Sequence, residues 1–184
     1  IENYPNGGVV RTFSRKKLEK IFDACGVGER SFYYPYPDYK FMTTVYSDAY
    51  LPGRGELSNN LRNFDRDRML LFDEKSAFDG IVEEGLFSVF SNSYMAIIGK
   101  PLELKYARYS NDRAEEFRIR TEILTDTEGQ KTVRKYPFTT EAEAHVRHMA
   151  EAYEKIKKRY AGSRMDVNVC HLGEEEGAIY AEFE

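Results

Sequence analysis

Apolar residues change their spacing several times along this chain, and each change marks an element. Leu18, Ile21, Phe22 and Cys25 recur at i, i+3, i+4 and i+7, the spacing that draws one apolar stripe along an α-helix. Ser14 stands before them as an N-cap whose hydroxyl can accept from the free N–H groups of the first turn. Gly26 follows as the residue that tolerates the left-handed stop. The next run, RSFYYPYP, is aromatic and closed by Pro35 and Pro37, which predicts a short strand. A polar stretch with Gly53, Gly55 and SNNLRNFDRDR shows no period and reads as a long ordered insertion. Helical spacing returns in DEKSAFDGIVEEG, with Asp73 as cap, Phe78, Ile81 and Val82 inward and Gly85 as stop. Gly80 weakens that helix by ~1 kcal/mol relative to Ala. SNSYMAIIGK has a continuous apolar run and predicts a buried strand.

After GKPLE the pattern becomes strand-like. LKYARYS, EFRIRTEILTD and KTVRKYPF follow in turn. In the second of these, Phe117, Ile119 and Thr121 alternate with Arg118, Arg120 and Glu122, so one face is expected to be solvated. Gly129 supplies the hairpin turn between the second and third. A long helix is predicted from about Glu141 to Tyr160, opened by a Thr140–Glu143 capping box. Val146, Met149, Tyr153, Ile156 and Tyr160 form its apolar stripe. DVNVCHL and AIYAEFE close the chain as two strands joined by the turn GEEEG. The change of character near residues 99–103 predicts two segments, 1–100 and 101–184, both α+β.

Composition narrows the class. At 184 residues, 41% hydrophobic and 32% charged, the chain is globular and can bury a real core. Its net charge of −4 gives no general attraction to nucleic acid. The two cysteines, Cys25 and Cys170, form neither a CxxC pair nor a disulfide framework, the pattern of a reducing compartment, and a cytoplasmic location is expected. No apolar run reaches the ~20 residues needed to span a bilayer. The first residues lack an initiator Met and a leader pattern, so the sequence reads as a piece of a longer parent chain.

Several words of the first half carry a family likeness. GVVRTFSRKKLEKIFDACG, FYYPYPDYKF, NFDRDRMLLFDE and LFSVFSNSYMAIIGK resemble the C-terminal part of bacterial class I S-adenosylmethionine-dependent methyltransferases of the surface-polysaccharide and lipopolysaccharide type. That resemblance implies a C-terminal helix and an antiparallel strand pair, with the aromatic segment on the rim above the cofactor. It implies a sugar or nucleotide-sugar acceptor, with Tyr34, Tyr36 and Tyr39 stacking on the ring and Asp38 taking a hydroxyl proton. Arg62, Arg66 and Arg68 are candidates to clamp an acceptor phosphate. The plainer alternatives are an aromatic core with a solvated Asp38, and an arginine–aspartate patch in solvent. The family binds S-adenosylmethionine at a Gly-rich loop after its first strand, and no GxGxG occurs here. The cofactor is therefore implied for the parent chain and not for this piece, which is expected to be inactive alone. The rival class is a non-catalytic glycan- or protein-binding scaffold module.

The second half is similar in element order to a kinase-like small lobe: three strands, a helix, two strands. That resemblance matches KTVRKYPF to the third strand and Lys135 to its phosphate-gripping lysine. The helix carboxylate that would pair with Lys135 is Glu143 or Glu154, with Glu143 preferred; Glu151 lies opposite the apolar stripe. The first hairpin, YSNDRAEEF, lacks the Gly-rich loop of that family. His145 and His148 stand at i, i+3 without an evident third ligand, so no metal site is assigned. Cys170 and His171 are neighbours in a strand, which sends them to opposite faces.

Overall fold

The computed structural model describes residues 12–57 and 73–183. The protein is α+β, with an eight-stranded antiparallel sheet and four α-helices among the described residues. The chain divides into two compact units. One holds residues up to Met42 together with Tyr46–Pro101; the other holds Thr43–Val45 together with everything from Leu102 on.

In the first unit, helix α1 (Arg15–Ala24) is capped by Ser14, whose hydroxyl accepts from the Lys17 N–H, and Gly26 follows at φ 72°. Strand β1 (Arg30–Tyr36) pairs antiparallel with β3 (Met95–Ile98), in the register Arg30 to Ile98 and Tyr33 to Met95. Phe22 of α1 lies on Phe32 of β1, ring centroids 6.2 Å apart. The rest of the α1 stripe is thinly covered: Ile21 is 39% exposed and Cys25 is exposed. Helix α2 (Glu74–Glu83) takes Asp73 as its cap and ends before Gly85 at φ 69°. A single turn, α3 (Phe87–Phe90), drives Phe87 into an aromatic core with Tyr34, Tyr36, Tyr46 and Phe78. These rings meet mostly edge to face, the arrangement their quadrupoles favour. Strand β3 is not the buried strand that its apolar run predicts. It lies at one end of the strand order, and its outer residues Met95 and Ile98 are 39% and 61% exposed.

In the second unit, β2 (Thr44–Ser47) contributes Thr44 and Val45, which pair with Arg108 and Ala107 of β4 (Leu104–Tyr109). Strands β5 (Ile119–Thr125), β6 (Lys131–Pro137), β8 (Ala178–Phe183) and β7 (Cys170–Glu175) complete the order β4-β5-β6-β8-β7. Gly129 turns the β5–β6 hairpin at φ 86°, and Glu176–Gly177, both at positive φ, turn the last. Phe117 is not part of β5: Glu115–Phe117 is a 3-10 turn, and Phe117 is 46% exposed against His145.

Helix α4 (Glu143–Arg159) covers one face of this sheet. Val146 packs with Ile119, Ala181 and Phe183, flanked by Val133, Met149 and Tyr153. The capping box does not form. Thr140–Ala142 tightens into a 3-10 turn, the helix N-cap becomes Ala142, and no side chain caps it.

Candidate functional site

The most organised polar cluster of the first unit joins α1, β1 and the end of β2. Arg15 is the first residue of α1, so its cation sits at the positive end of the helix dipole, next to Lys16 and Lys17 and with no acid in the first turn. That placement requires outside compensation, and Asp48 provides it. Arg15 Nη1 donates to Asp48 Oδ1 at 2.6 Å and Nη2 to Oδ2 at 2.9 Å, a two-point fork. Arg15 Nε donates to Glu19 at 3.0 Å, and the guanidinium lies 4.9 Å from the Phe32 ring centre. Tyr34 completes the cluster: its hydroxyl accepts from Arg15 and donates to Asp48. Burial draws the Arg15 pKa down, but its bonds to Asp48 and Glu19 prevail and hold it above the ordinary value.

Tyr34 is fully buried. Burial, reinforced by its bond to Asp48, pushes its hydroxyl well above the usual tyrosine range. Its proton is therefore locked in place, and Tyr34 acts as a donor and not as a base. Asp48 retains 46% side-chain exposure. A carboxylate held on two sides and open on a third can orient a ligand hydroxyl and accept its proton.

The residues expected from sequence fall elsewhere. Tyr34 and Tyr36 are core residues, 0% and 9% exposed, so their ring faces meet Phe87 and Phe78 and cannot stack on a sugar. The alternation of β1 turns both toward α2 and α3, and the aromatic-core alternative holds for them. Tyr39 is 70% exposed, with the Lys40 ammonium 5.7 Å from its ring centre. Asp38 closes its own turn: Oδ1 accepts from the Lys40 N–H at 2.7 Å and the Phe41 N–H at 3.0 Å. It shapes the turn that follows cis Pro37. The turn is tied to the chain before β3, since Ser93 Oγ accepts from the Tyr39 N–H and Asn92 donates to the Pro37 carbonyl. Arg62, Arg66 and Arg68 lie outside the described residues.

In the second unit Lys135 shares the α4 face with Val133, as strand alternation requires, but it forms no ion pair with Glu143 or Glu154. Its ammonium lies 4.8 Å from the Phe183 ring centre. Glu154 pairs with Lys158 at 3.3 Å. Glu143 is exposed as the first residue of a helix that starts later than the capping box implied.

The opposite face of the sheet carries an unexpected ladder. Arg134 donates from Nε to Glu182 at 2.5 Å and lies 3.3 Å from Glu175, which also accepts from the Tyr136 hydroxyl at 2.8 Å. Arg120 stacks on Tyr136 and Arg134 on Tyr180, at 4.5 and 4.6 Å. Burial pushes Tyr136 up to about 12, with Arg134 opposing and Glu175 adding. Burial also raises Glu122, against the neighbouring Arg120. Arg134 and Tyr136 are satisfied by Glu182 and Glu175, while Arg120 Nε, 2.7 Å from Glu122, is buried without a hydrogen bond.

Among the described residues no group of three His, Cys, Asp or Glu side chains can hold a metal ion, and no helix is long and apolar enough to cross a membrane. Gly26 and Gly85 follow helices and Gly129 and Gly177 turn hairpins. Comparison of the chain with protein-family models, with curated proteins and with solved structures finds no match.

Proposed function

We propose that this chain is the acceptor-side part of an S-adenosylmethionine-dependent methyltransferase that acts on a sugar or nucleotide-sugar of a surface glycan. The cofactor loop belongs to other parts of the parent protein. The reading is supported most by the β1–β3 pair with α1 against it. Both carry apolar surface that the described residues leave partly exposed: Ile21 on α1, Met95 and Ile98 on β3. An apolar outer strand is an aggregation hazard unless another strand takes its edge. A larger sheet continuing beyond β3 would supply one.

Within this reading Asp48, not Asp38, is the acceptor-side base, oriented by Arg15 and Tyr34. Tyr39 is the ring left free to meet a sugar. The parent protein is the material for the test, incubated with methyl-labelled S-adenosylmethionine and nucleotide-sugar acceptors. Asp48→Asn is expected to lower methyl transfer by ~10²-fold or more. A parent protein that transfers no methyl group, or an unimpaired Asp48→Asn enzyme, overturns the reading. No nucleotide role is proposed for the second unit, because Lys135 is seated on Phe183.

A further inference from the structure

The two faces of the second unit's sheet carry charge differently. On the face away from α4, arginines meet carboxylates: Arg134 pairs with Glu182, and Arg120 lies 2.7 Å from Glu122. On the α4 face, strand alternation places no acidic residue along β4, β5 or β6. Arg108, Thr121 and Lys135 stand side by side there as cross-strand partners, so the two cations are about 10 Å apart at the backbone. Helix α4 adds two more. At about 100° per residue, Lys155 and Arg159 lie on the flank opposite Lys157, which lines the cleft against β7. His145 shares their flank and meets Phe117 just before β5, so this flank faces β5 and β6. Arg108, Lys155 and Arg159 are exposed, and none of the four cations forms an ion pair among the described residues. The contact of Lys135 with the Phe183 ring leaves its charge in place.

Carboxylates stand at the ends of this shelf and not along it. Asp112, Glu115, Glu116, Glu141 and Glu143 belong to the loop and turns before β5 and α4. Glu103, Asp126 and Glu128 mark the hairpin end, where Asp126 accepts from two turn N–H groups at 2.8 and 2.9 Å. Glu151 and Glu154 line the β7 side of α4, where Glu154 holds Lys158.

We propose that the shelf between α4 and β4–β6 binds a linear acidic glycan, a chain of sugars that carry carboxylates. Unpaired cations held close together raise the local concentration of anions. A single small anion cannot meet cations spaced about 10 Å across the sheet and about 6 Å along the helix, whereas a chain with charge on successive units can. Single-stranded nucleic acid is held by bases stacked on exposed rings, and the one ring that β4–β6 turn to this face, Tyr106, is half-buried. Thr121 and Thr125 instead offer hydroxyls between the cations.

The test uses the intact chain and fluorescein-labelled octagalacturonate, with its methyl ester and an oligothymidylate of equal charge as comparators. Octagalacturonate is expected to bind, more weakly as salt rises, and the ester is not. Arg108→Gln with Arg159→Gln should weaken binding about tenfold, while Lys157→Gln with Lys158→Gln, on the other flank of α4, should leave it unchanged. No binding of octagalacturonate, equal binding of its ester, equal losses in the two double variants, or tighter binding of the oligothymidylate would each overturn the proposal. It does not rest on the methyltransferase reading, since every residue of the shelf is in the second unit and no methyl transfer is measured.

Discussion

Tyr34 connects the chemistry of the first unit to its stability. The hydroxyl is buried, accepts from Arg15 and donates to Asp48, so removing it leaves two charged partners short of a bond. Hydrogen bonds to charged groups contribute more than neutral ones, and Tyr34→Phe should cost about 1–3 kcal/mol. Denaturant melts of Tyr34→Phe, Asp48→Asn and the double variant test the coupling. The two losses should fall well short of additive, and strict additivity would mean that the residues act independently. Gly173 makes a second residue-scale case. A Cβ built there would lie 2.3 Å from Cζ of Tyr180, because that ring lies across the cross-strand glycine. Gly173→Ala must therefore displace Tyr180 from its stacking on Arg134 and Tyr136, at a cost of about 1–3 kcal/mol. In a Tyr180→Ala background the same change should cost little, and thermal melts of the four proteins will show whether it does.

At the scale of elements, capped segments were legible and contacts between distant segments were not. Ser14, Gly26, Asp73 and Gly85 each act where local chemistry placed them, because a cap is satisfied within a few residues. Strand alternation placed Lys135 and Val133 on one face but not the partner of Lys135, which depends on where α4 begins. The Thr140–Glu143 pattern pointed to an N-cap, yet the 3-10 turn moved the helix start. The Arg15–Asp48 fork spans 33 residues, and no periodicity reports on such a pairing. Apolar content placed β3 in the interior, while the topology puts it at the end of the sheet.

The first turn of α4 also carries the clearest dependence on pH. His145 packs edge-on against Phe117, 5.2 Å between ring centres, and joins the helix to the 3-10 turn. Burial lowers its pKa, and the nearby charges of Arg113, His148 and Lys135 act in the same direction. The folded state therefore binds fewer protons than the unfolded chain around pH 6. The contribution of His145 is complete above the unfolded value of ~6.5 and is lost as pH falls through the depressed folded value. Stability measured between pH 8 and pH 5 should decline at the acid end, and His145→Gln should flatten that decline. An unchanged slope would show that other groups cause it.

For the whole molecule, the consequential fact is that the second unit is not one continuous stretch of chain. Thr44 and Val45, 7% and 6% exposed, pair with Arg108 and Ala107, so β4 completes its ladder with residues that precede it by some sixty positions. The sequence placed a boundary near residues 99–103, where composition changes, and composition cannot show that a later strand depends on an earlier loop. Cutting at that boundary removes the partner of β4. It exposes Ala107, 1% accessible in the intact chain, and frees the edge groups that bonded to 44–45. Tyr109 also loses its donation to the Thr43 carbonyl at 2.8 Å. Each unmade backbone bond costs about 1 kcal/mol and the bared strand invites pairing with other chains. The chain 102–184 should therefore melt several degrees below the second unit in the intact protein, with rapid amide exchange across Leu104–Tyr109 and a tendency to associate. Strands β5 to β8 and α4 should keep their protection, because their core around Val146 and Phe183 is untouched. A fragment as stable as the intact protein, with β4 equally protected, would show that Thr43–Val45 is dispensable and that the compositional boundary is also the folding boundary.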